Sequence, residues 1–141
     1  MKHIVNVSDA ASLAMHSIVL IASAKRVVSI GDISGRLGVS EFHLSKVLQR
    51  LAKNSLVKSS RGPRGGFVLA RSDGSITLLD VYEAIEGPIR DESCLLAERA
   101  CSKGACILGD AVHTMSSMFK NRLRQTKISD LTHIFQAGET E

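Results

Sequence analysis

The sequence predicts a mainly α-helical chain with one small β-hairpin, and two patterns predict it. Apolar residues recur at intervals of three and four along most of the 141 residues, as they do in amphipathic helices. An alternating stretch instead flanks the Gly/Pro-rich segment 62–66, which is typical of a hairpin turn. A hydrophobic content of 44% is enough for a core, and no apolar run is long enough to cross a bilayer.

Segment 30–71 predicts two helices joined by a tight turn and followed by the hairpin. Gly38 would end the first helix because glycine tolerates a positive φ, and Ser40 would cap the second with its hydroxyl. Both helices have an apolar inner stripe, namely Ile30, Ile33 and Leu37, then Leu44, Val47, Leu48 and Leu51. This order of elements predicts a winged helix-turn-helix, with the hairpin as its small β wing.

Basic residues collect on the parts of this segment that face away from the core. Arg61 and Arg64 lie among three glycines at the hairpin tip, where small residues allow close approach to a phosphate chain and arginine suits a narrow minor groove. A single surface arginine is usually only a solvated charge. The succession of a basic helix and a basic, Gly-rich hairpin nevertheless favours a nucleic-acid interface.

The charge distribution agrees with that interpretation. Residues 1–75 contain 11 basic and 4 acidic residues, a net charge of +7, whereas residues 76–141 contain 7 and 10, a net charge of −3. Such a split is typical of a nucleic-acid footprint on one half of a chain. An aromatic content of 4% argues against single-strand binding through stacked bases, so double-stranded DNA is the expected partner.

All three cysteines, Cys94, Cys101 and Cys106, lie within 13 residues. Structural disulfides are not expected for an odd count in a reducing compartment, and the C-x6-C-x4-C spacing matches structural zinc sites poorly. Three thiolates could hold an iron–sulfur cluster. They could equally form a thiol redox switch, because Arg99 and Lys103 nearby would favour thiolates. The spacing leaves both open.

Segment 54–67, from Asn54-Ser55-Leu56-Val57 to Arg61-Gly62-Pro63-Arg64-Gly65-Gly66-Phe67, resembles the signature of a bacterial winged-helix regulator family. That family includes the iron–sulfur cluster assembly regulator, the nitric-oxide-sensing nitrite-response repressor, an iron regulator and a cysteine-metabolism repressor. The resemblance extends over nearly the whole chain and is most specific at 61–67. It implies a homodimer that reads a palindromic operator and holds a cluster with Cys94, Cys101 and Cys106.

The resemblance also implies which residues meet DNA. Phe42, Ser45 and Lys46 align with base-reading positions, and Arg61 aligns with a minor-groove position. Their chemistry suits these roles, because Lys46 could reach a guanine and Phe42 could touch a thymine methyl group. Three further candidates would contact phosphates, namely Arg50, Ser60 and Arg64. His43 could contact either a base or a phosphate, and Ser40 is the helix cap.

The fourth cluster ligand stays open in the sequence. The assembly regulator has a histidine three residues after its last cysteine, where this chain has Gly109. The nitric-oxide sensor uses an aspartate of the partner subunit's first helix, which aligns with Ser12. The candidates are therefore Asp9, Ser12, His16, Asp110 and His113, and the cluster could be [2Fe-2S] or [4Fe-4S]. The missing histidine favours the nitric-oxide-sensor type.

The other elements complete a three-part organisation: a DNA-binding domain over 1–88, a cysteine loop over 89–106, and a dimerisation helix with a C-terminal helix over 107–141. The first part begins with a helix over 8–24, capped by Ser8 or Asp9, and a linker over 25–29. It ends with a helix that Thr77 caps and Gly87-Pro88 stop. The longest helix runs from Ala105 to about Arg124, where a wide apolar stripe predicts a dimer interface; packing of this helix on the monomer's own core is the alternative. Ser129 would cap the last helix.

These observations predict a cytoplasmic, homodimeric transcription regulator, a repressor, with no signal peptide and no membrane partner. Its operator binding would be switched by the cluster in response to nitric oxide, iron or redox state. The alternative is the same DNA-binding regulator without a cluster, switched by thiol oxidation or a small molecule. An enzyme is not expected, because the sequence shows no nucleophile–base constellation.

Overall fold

The computed structural model describes residues 6–89, 100–101 and 105–136. Cys94, Arg99 and Lys103, and with them the first of the three predicted cluster ligands, lie outside these ranges. The described helices and strands are α1 Asp9–Ala24, α2 Ile30–Leu37, α3 Glu41–Lys53, β1 Val57–Ser60, β2 Gly66–Leu69, α4 Leu78–Glu86, α5 Ala111–Gln125 and α6 His133–Gln136. Short 3-10 turns span Asp73–Ser75 and Ile128–Asp130. The strands are antiparallel, with Val57 opposite Leu69 and Ser60 opposite Gly66.

Hydroxyl caps fix where the helices begin. Ser8, not Asp9, caps α1 by accepting the Ala11 N–H at 3.0 Å. Ser40 and Thr77 cap α3 and α4 as predicted, and Asp80 completes a capping box with Thr77. Each such cap stabilises its helix by about 1 kcal/mol. The predicted start of α3, the recognition helix of the motif, is thereby confirmed.

The core is built around α1, which is buried on more than one side and contacts α3, α4, α6 and β2. All four residues of the predicted inner stripe of α3 are buried in this core: Leu44, Val47, Leu48 and Leu51. α2 contributes the fully buried Ile33. The helix-turn-helix is therefore held rigidly by its apolar side, and its other side is left to solvent.

The wing is attached to the body through a strand-like contact that the sequence did not reveal. Val28, in the segment predicted to be only a linker, exchanges two backbone hydrogen bonds with Phe67, at 3.0 and 2.8 Å. A Cβ atom on Gly66 would lie 2.2 Å from the Val28 carbonyl oxygen, so this close approach requires glycine. The second glycine of the Gly65-Gly66 pair thus fixes the position of the wing.

Gly66→Ala is therefore expected to destabilise the fold by about 1–3 kcal/mol, because the added methyl group must displace backbone. Chemical denaturation monitored by circular dichroism measures the change. Gly35→Ala is the matched control, since a Cβ there meets nothing within 4 Å and alanine favours the interior of α2. Equal stability of the two variants would contradict this account of the wing.

The C-terminal part differs from the prediction in two respects. α5 begins at Ala111 instead of Ala105, because residues 107–110 form turns in which Gly109 has a φ of 61°. It has 15 residues and is shorter than the 16-residue α1, so the predicted longest helix is wrong in both start and rank. Ser129 lies inside the turn Ile128–Asp130 and caps no helix. Asp130 instead accepts the Lys127 N–H at 3.0 Å.

α5 packs on the body with one face and exposes another. Val112 and Leu123 are buried, and Phe119 meets the ring of Tyr82 edge-on with centroids 5.4 Å apart. Met115 and Met118 are 48% and 68% exposed. The apolar stripe thus divides between the monomer's own core and solvent. Among the described residues, no helix is long and apolar enough to cross a membrane.

Candidate nucleic-acid interface

The outer face of α3 presents an exposed aromatic ring beside an exposed cation. Phe42 is 67% exposed, and the Lys46 Nζ lies 4.4 Å from the centroid of its ring. The two side chains are neighbours because they are four residues apart on one helix. A cation–π contact of this kind orients the ammonium group, which keeps donors free for a base edge or a phosphate.

Other predicted contacts surround this pair. The His43 ring lies 6.0 Å from the Phe42 ring, and Ser45 is half-buried on the same helix. The Ser40 hydroxyl is used within the helix, where it accepts the His43 N–H at 3.3 Å. Any contact of Ser40 with DNA would therefore be made by the same hydroxyl that caps α3.

The wing tip presents two arginines. Ser60 ends β1, and Arg61 and Arg64 follow it on an exposed turn in which Gly62 has a φ of 108°. Within the described ranges, neither arginine forms a hydrogen bond or an ion pair, whereas Arg71 beyond the wing lies 3.7 Å from Asp80. The tip cations are thus available to a polyanion.

Arg50 does not share this arrangement. Its Nη2 atom donates to the carbonyl oxygen of Ile85 at 2.5 Å, at the end of α4. The sequence predicted a phosphate contact, but the side chain is tied to another helix. No periodicity or motif could have shown this, because the partner is a backbone atom 35 residues away.

A groove of about 810 Å³ is lined by residues of both α1 and α3, which the sequence assigned to two different sites. Three candidate cluster ligands line it from α1, and three candidate DNA contacts line it from α3: Asp9, Ser12 and His16, then His43, Lys46 and Arg50. His16 Nδ1 lies 2.6 Å from the Ser12 carbonyl oxygen, which leaves Nε2 as its ligand atom. A group bound on α1 here would sit beside the recognition helix.

The described cysteines are free thiols, with Cys101 exposed and Cys106 half-buried. Near them, Asp110 precedes α5 without using its side chain as a cap, and His113 is exposed. Thiolates of this kind suit an iron–sulfur cluster. In the part of the chain that the structure describes, however, no three Cys, His, Asp or Glu side chains are grouped so as to hold a metal ion. The described residues thus supply two of the expected thiols, Cys101 and Cys106.

The rigid helix-turn-helix, its exposed Lys46 and the basic wing define a winged-helix, DNA-binding transcription regulator. The chain belongs to the Rrf2 family, because the model of that family, described as an iron-dependent transcriptional regulator, matches residues 7–134. This confirms the resemblance carried by segment 54–67.

Known relatives agree with the assignment. The chain is 31% identical over 131 residues to a protein of Aquifex aeolicus (strain VF5) whose name places it among helix-turn-helix transcriptional regulators; the match covers 90% of this chain and 91% of that protein. It is 43% identical over 83 residues to the transcriptional regulator IscR of Enterobacter sp. (strain 638), a match that covers 59% of this chain and 47% of IscR.

Two solved structures share the fold. CymR of B. subtilis, the global cysteine regulator, superposes with a TM-score of 0.78 at 24% identity, covering 92% of this chain and 98% of CymR. IscR of T. potens superposes with a TM-score of 0.72 at 21% identity, covering 97% and 93%. These likenesses confirm the mainly α fold with its β wing.

Proposed function

We propose that this chain is a homodimeric repressor that reads a palindromic operator and is switched by an iron–sulfur cluster on Cys94, Cys101 and Cys106. The observation that carries the DNA-binding part is the Phe42–Lys46 pair on the solvent side of α3, whose inner side is fully buried. α3 would enter the major groove while the wing follows the adjacent minor groove.

The chemistry of the side chains divides the proposed contacts into those with bases and those with phosphates. Lys46 would donate to a guanine edge, and Phe42 would touch a thymine methyl group. Ser45 could form a hydrogen bond with more than one kind of base. Arg61 would enter the minor groove. Ser60, Arg64 and His43 would bind phosphates, which fix the register and make the affinity depend on salt.

The cysteines supply soft ligands in one short segment, and the family's description as iron-dependent supports an iron group. When bound, an iron–sulfur cluster would supply a centre that responds to nitric oxide, iron supply or redox state. Cys94, Cys101 and Cys106 would hold it with one further residue. Asp110 and His113 are close in sequence to Cys106, whereas Asp9, Ser12 and His16 line the groove beside α3.

A dimer would bring two reading helices to one operator. Exposed apolar residues continue from the turn before α5 onto the helix: Ile107, Leu108, Met115 and Met118. Pairing this surface with a second copy would remove it from water and create the two-fold symmetry that a palindrome requires.

Iron and sulfide analysis with a visible spectrum, on protein purified without oxygen, tests the cluster. We expect brown protein with about two or about four iron atoms per chain, and loss of both colour and iron in Cys101→Ala or Cys106→Ala. Comparing Asp9→Ala, Ser12→Ala and His16→Ala with Asp110→Ala and His113→Ala then tests each candidate for the fourth ligand.

Colourless protein that resists anaerobic reconstitution would contradict the cluster. The switch would then be thiol oxidation or a small molecule. Gel-shift experiments with duplex DNA would test the DNA-binding assignment separately.

A further inference from the structure

We infer that Arg50 is a positioning residue that couples the end of α4 to the recognition helix, and thereby couples the cysteine segment to DNA binding. This inference rests on the proposed function, since it names the contact through which the state of that segment would reach the operator. It replaces the phosphate-contact role that the sequence suggested for Arg50.

The contact satisfies a group that α4 leaves unpaired. The last four carbonyl groups of a helix have no intrahelical donor. The Gly87 N–H takes up the Glu83 carbonyl, and Arg50 Nη2 donates to the Ile85 carbonyl at 2.5 Å. A guanidinium group at this end also interacts favourably with the helix dipole, and such charge-assisted bonds are stronger than neutral ones.

The rest of α4 is held by other partners. Its first residue, Leu78, donates its N–H to the Thr126 carbonyl at 2.9 Å. Farther along, the Tyr82 hydroxyl donates to the Asn6 carbonyl at 2.5 Å, and the Ser8 hydroxyl donates to the Glu86 carboxylate. These bonds tie α4 to the end of α5 and to the start of α1. The hydrogen bond from Arg50 to Ile85 ties α4 to α3.

The chain leads directly from this contact to the cysteines. α4 ends at Glu86, Gly87 turns the backbone with a φ of 80°, and Cys94 follows Glu86 by eight residues. In this proposal, a change in the state of the cysteines would reach the α4 end that Arg50 holds through this short stretch of chain. Arg50 also lies one turn beyond Lys46 on α3. A shift of the Arg50 side chain would therefore act on the helix that carries Lys46, the proposed base contact.

The two roles of Arg50 predict different results. A phosphate contact would add equally to affinity in every state of the cysteines, and its loss would reduce the slope of log affinity against log salt by about 0.9. A coupling contact would instead change the ratio of affinities between states, because allostery is a coupling free energy between two sites.

The experiment uses fluorescence anisotropy to measure affinity for a labelled duplex that the wild-type protein selects from a random-sequence pool. The protein is compared with intact cysteines and after alkylation with iodoacetamide. Wild type, Arg50→Ala, Arg50→Lys and Lys53→Ala are compared. Lys53 is the matched control, since it is an exposed cation in the same last turn of α3 without a described partner. We expect Arg50→Ala to reduce the affinity ratio of the two states by about fivefold or more. Arg50→Lys, which keeps a donor, should reduce it less, and Lys53→Ala should leave it unchanged.

Hydrogen exchange provides a readout that does not depend on the cluster. The Gly87 amide, bonded to the Glu83 carbonyl, reports on the end of α4. Adding operator should slow its exchange in wild type and in Lys53→Ala, and should leave it unchanged in Arg50→Ala.

Equal loss of affinity in both states, with a reduced salt slope and a normal Gly87 response, would overturn the inference in favour of a phosphate contact. If Arg50→Ala fails to fold, the difference between Arg50→Lys and Lys53→Ala decides. Wild-type protein that binds no duplex at all would refute the proposed function, a result distinct from either outcome for Arg50.

Discussion

Replacing Lys46 and Arg61 together by alanine is expected to abolish specific binding to a duplex operator. Each of these residues is expected to contribute about 1–3 kcal/mol, so together they account for roughly 2–6 kcal/mol. The two effects should add, because one residue lies on α3 and the other on the wing. Fluorescence anisotropy with a labelled operator, at fixed salt, measures the change.

The single variants should differ in kind. Lys46→Ala should relax specificity at one base pair of each half-site, since Lys46 is placed to read a base edge. Phe42→Leu keeps an apolar contact but removes the ring 4.4 Å from the Lys46 ammonium, so it should weaken the same base preference by a smaller amount. Arg61→Ala should affect positions where the minor groove is narrow.

Arg71→Ala is the control for lost positive charge. Arg71 lies beyond the wing, 46% exposed and 3.7 Å from Asp80, so its removal should change affinity little. If Arg71→Ala weakens binding as much as Lys46→Ala does, the interface is a general electrostatic attraction and the assignment of α3 as a reading helix is wrong.

The helix-turn-helix was predictable because its determinants are local. Leu44, Val47, Leu48 and Leu51 repeat at helical spacing, and all four are buried. The capping residues Ser40 and Thr77 act on an N–H three residues away, within the range that a sequence pattern covers. Such features can be identified without knowledge of distant neighbours.

Three of the unpredicted features depend on residues far apart in the chain. Val28 pairs with Phe67 through backbone atoms, which carry no side-chain signal. Arg50 reaches the Ile85 carbonyl, and nothing distinguishes it in sequence from a phosphate-binding arginine. The groove joins α1 residues to α3 residues because of how two helices pack. Sequence periodicity indicates which face is buried, but it does not identify the helix that covers that face.

α5 shows the same limit within one helix. Its apolar stripe is real, but Val112 and Leu123 bury one part of it in the monomer, while Met115 and Met118 remain exposed. An apolar stripe that is too wide for one interface predicts two packing partners. Only the structure shows which of its residues pack on the monomer's own core. The exposed remainder is the surface that a second copy would cover.

If the proposed dimer pairs through α5, Met118→Asp is expected to convert it to a monomer and to weaken binding to the proposed palindrome by about 10²–10⁴-fold. A carboxylate in an apolar interface is costly to desolvate, and a monomer loses the gain from engaging two half-sites at once. Light scattering coupled to gel filtration measures the mass, and anisotropy with full-operator and half-operator duplexes measures binding. Affinity for the half-operator should change little, since α3 and the wing are untouched.

Arg124→Asp is a stringent control, because it places the same carboxylate at an exposed site about 120° around α5 from Met118 and changes the charge by two units instead of one. It should leave the mass and the palindrome affinity close to those of wild type. A dimeric Met118→Asp protein would show that α5 does not form the interface through its methionine face. A monomeric variant that still binds the palindrome at full strength would contradict the two-half-site mechanism, since the affinity would then come from one recognition helix and one wing alone.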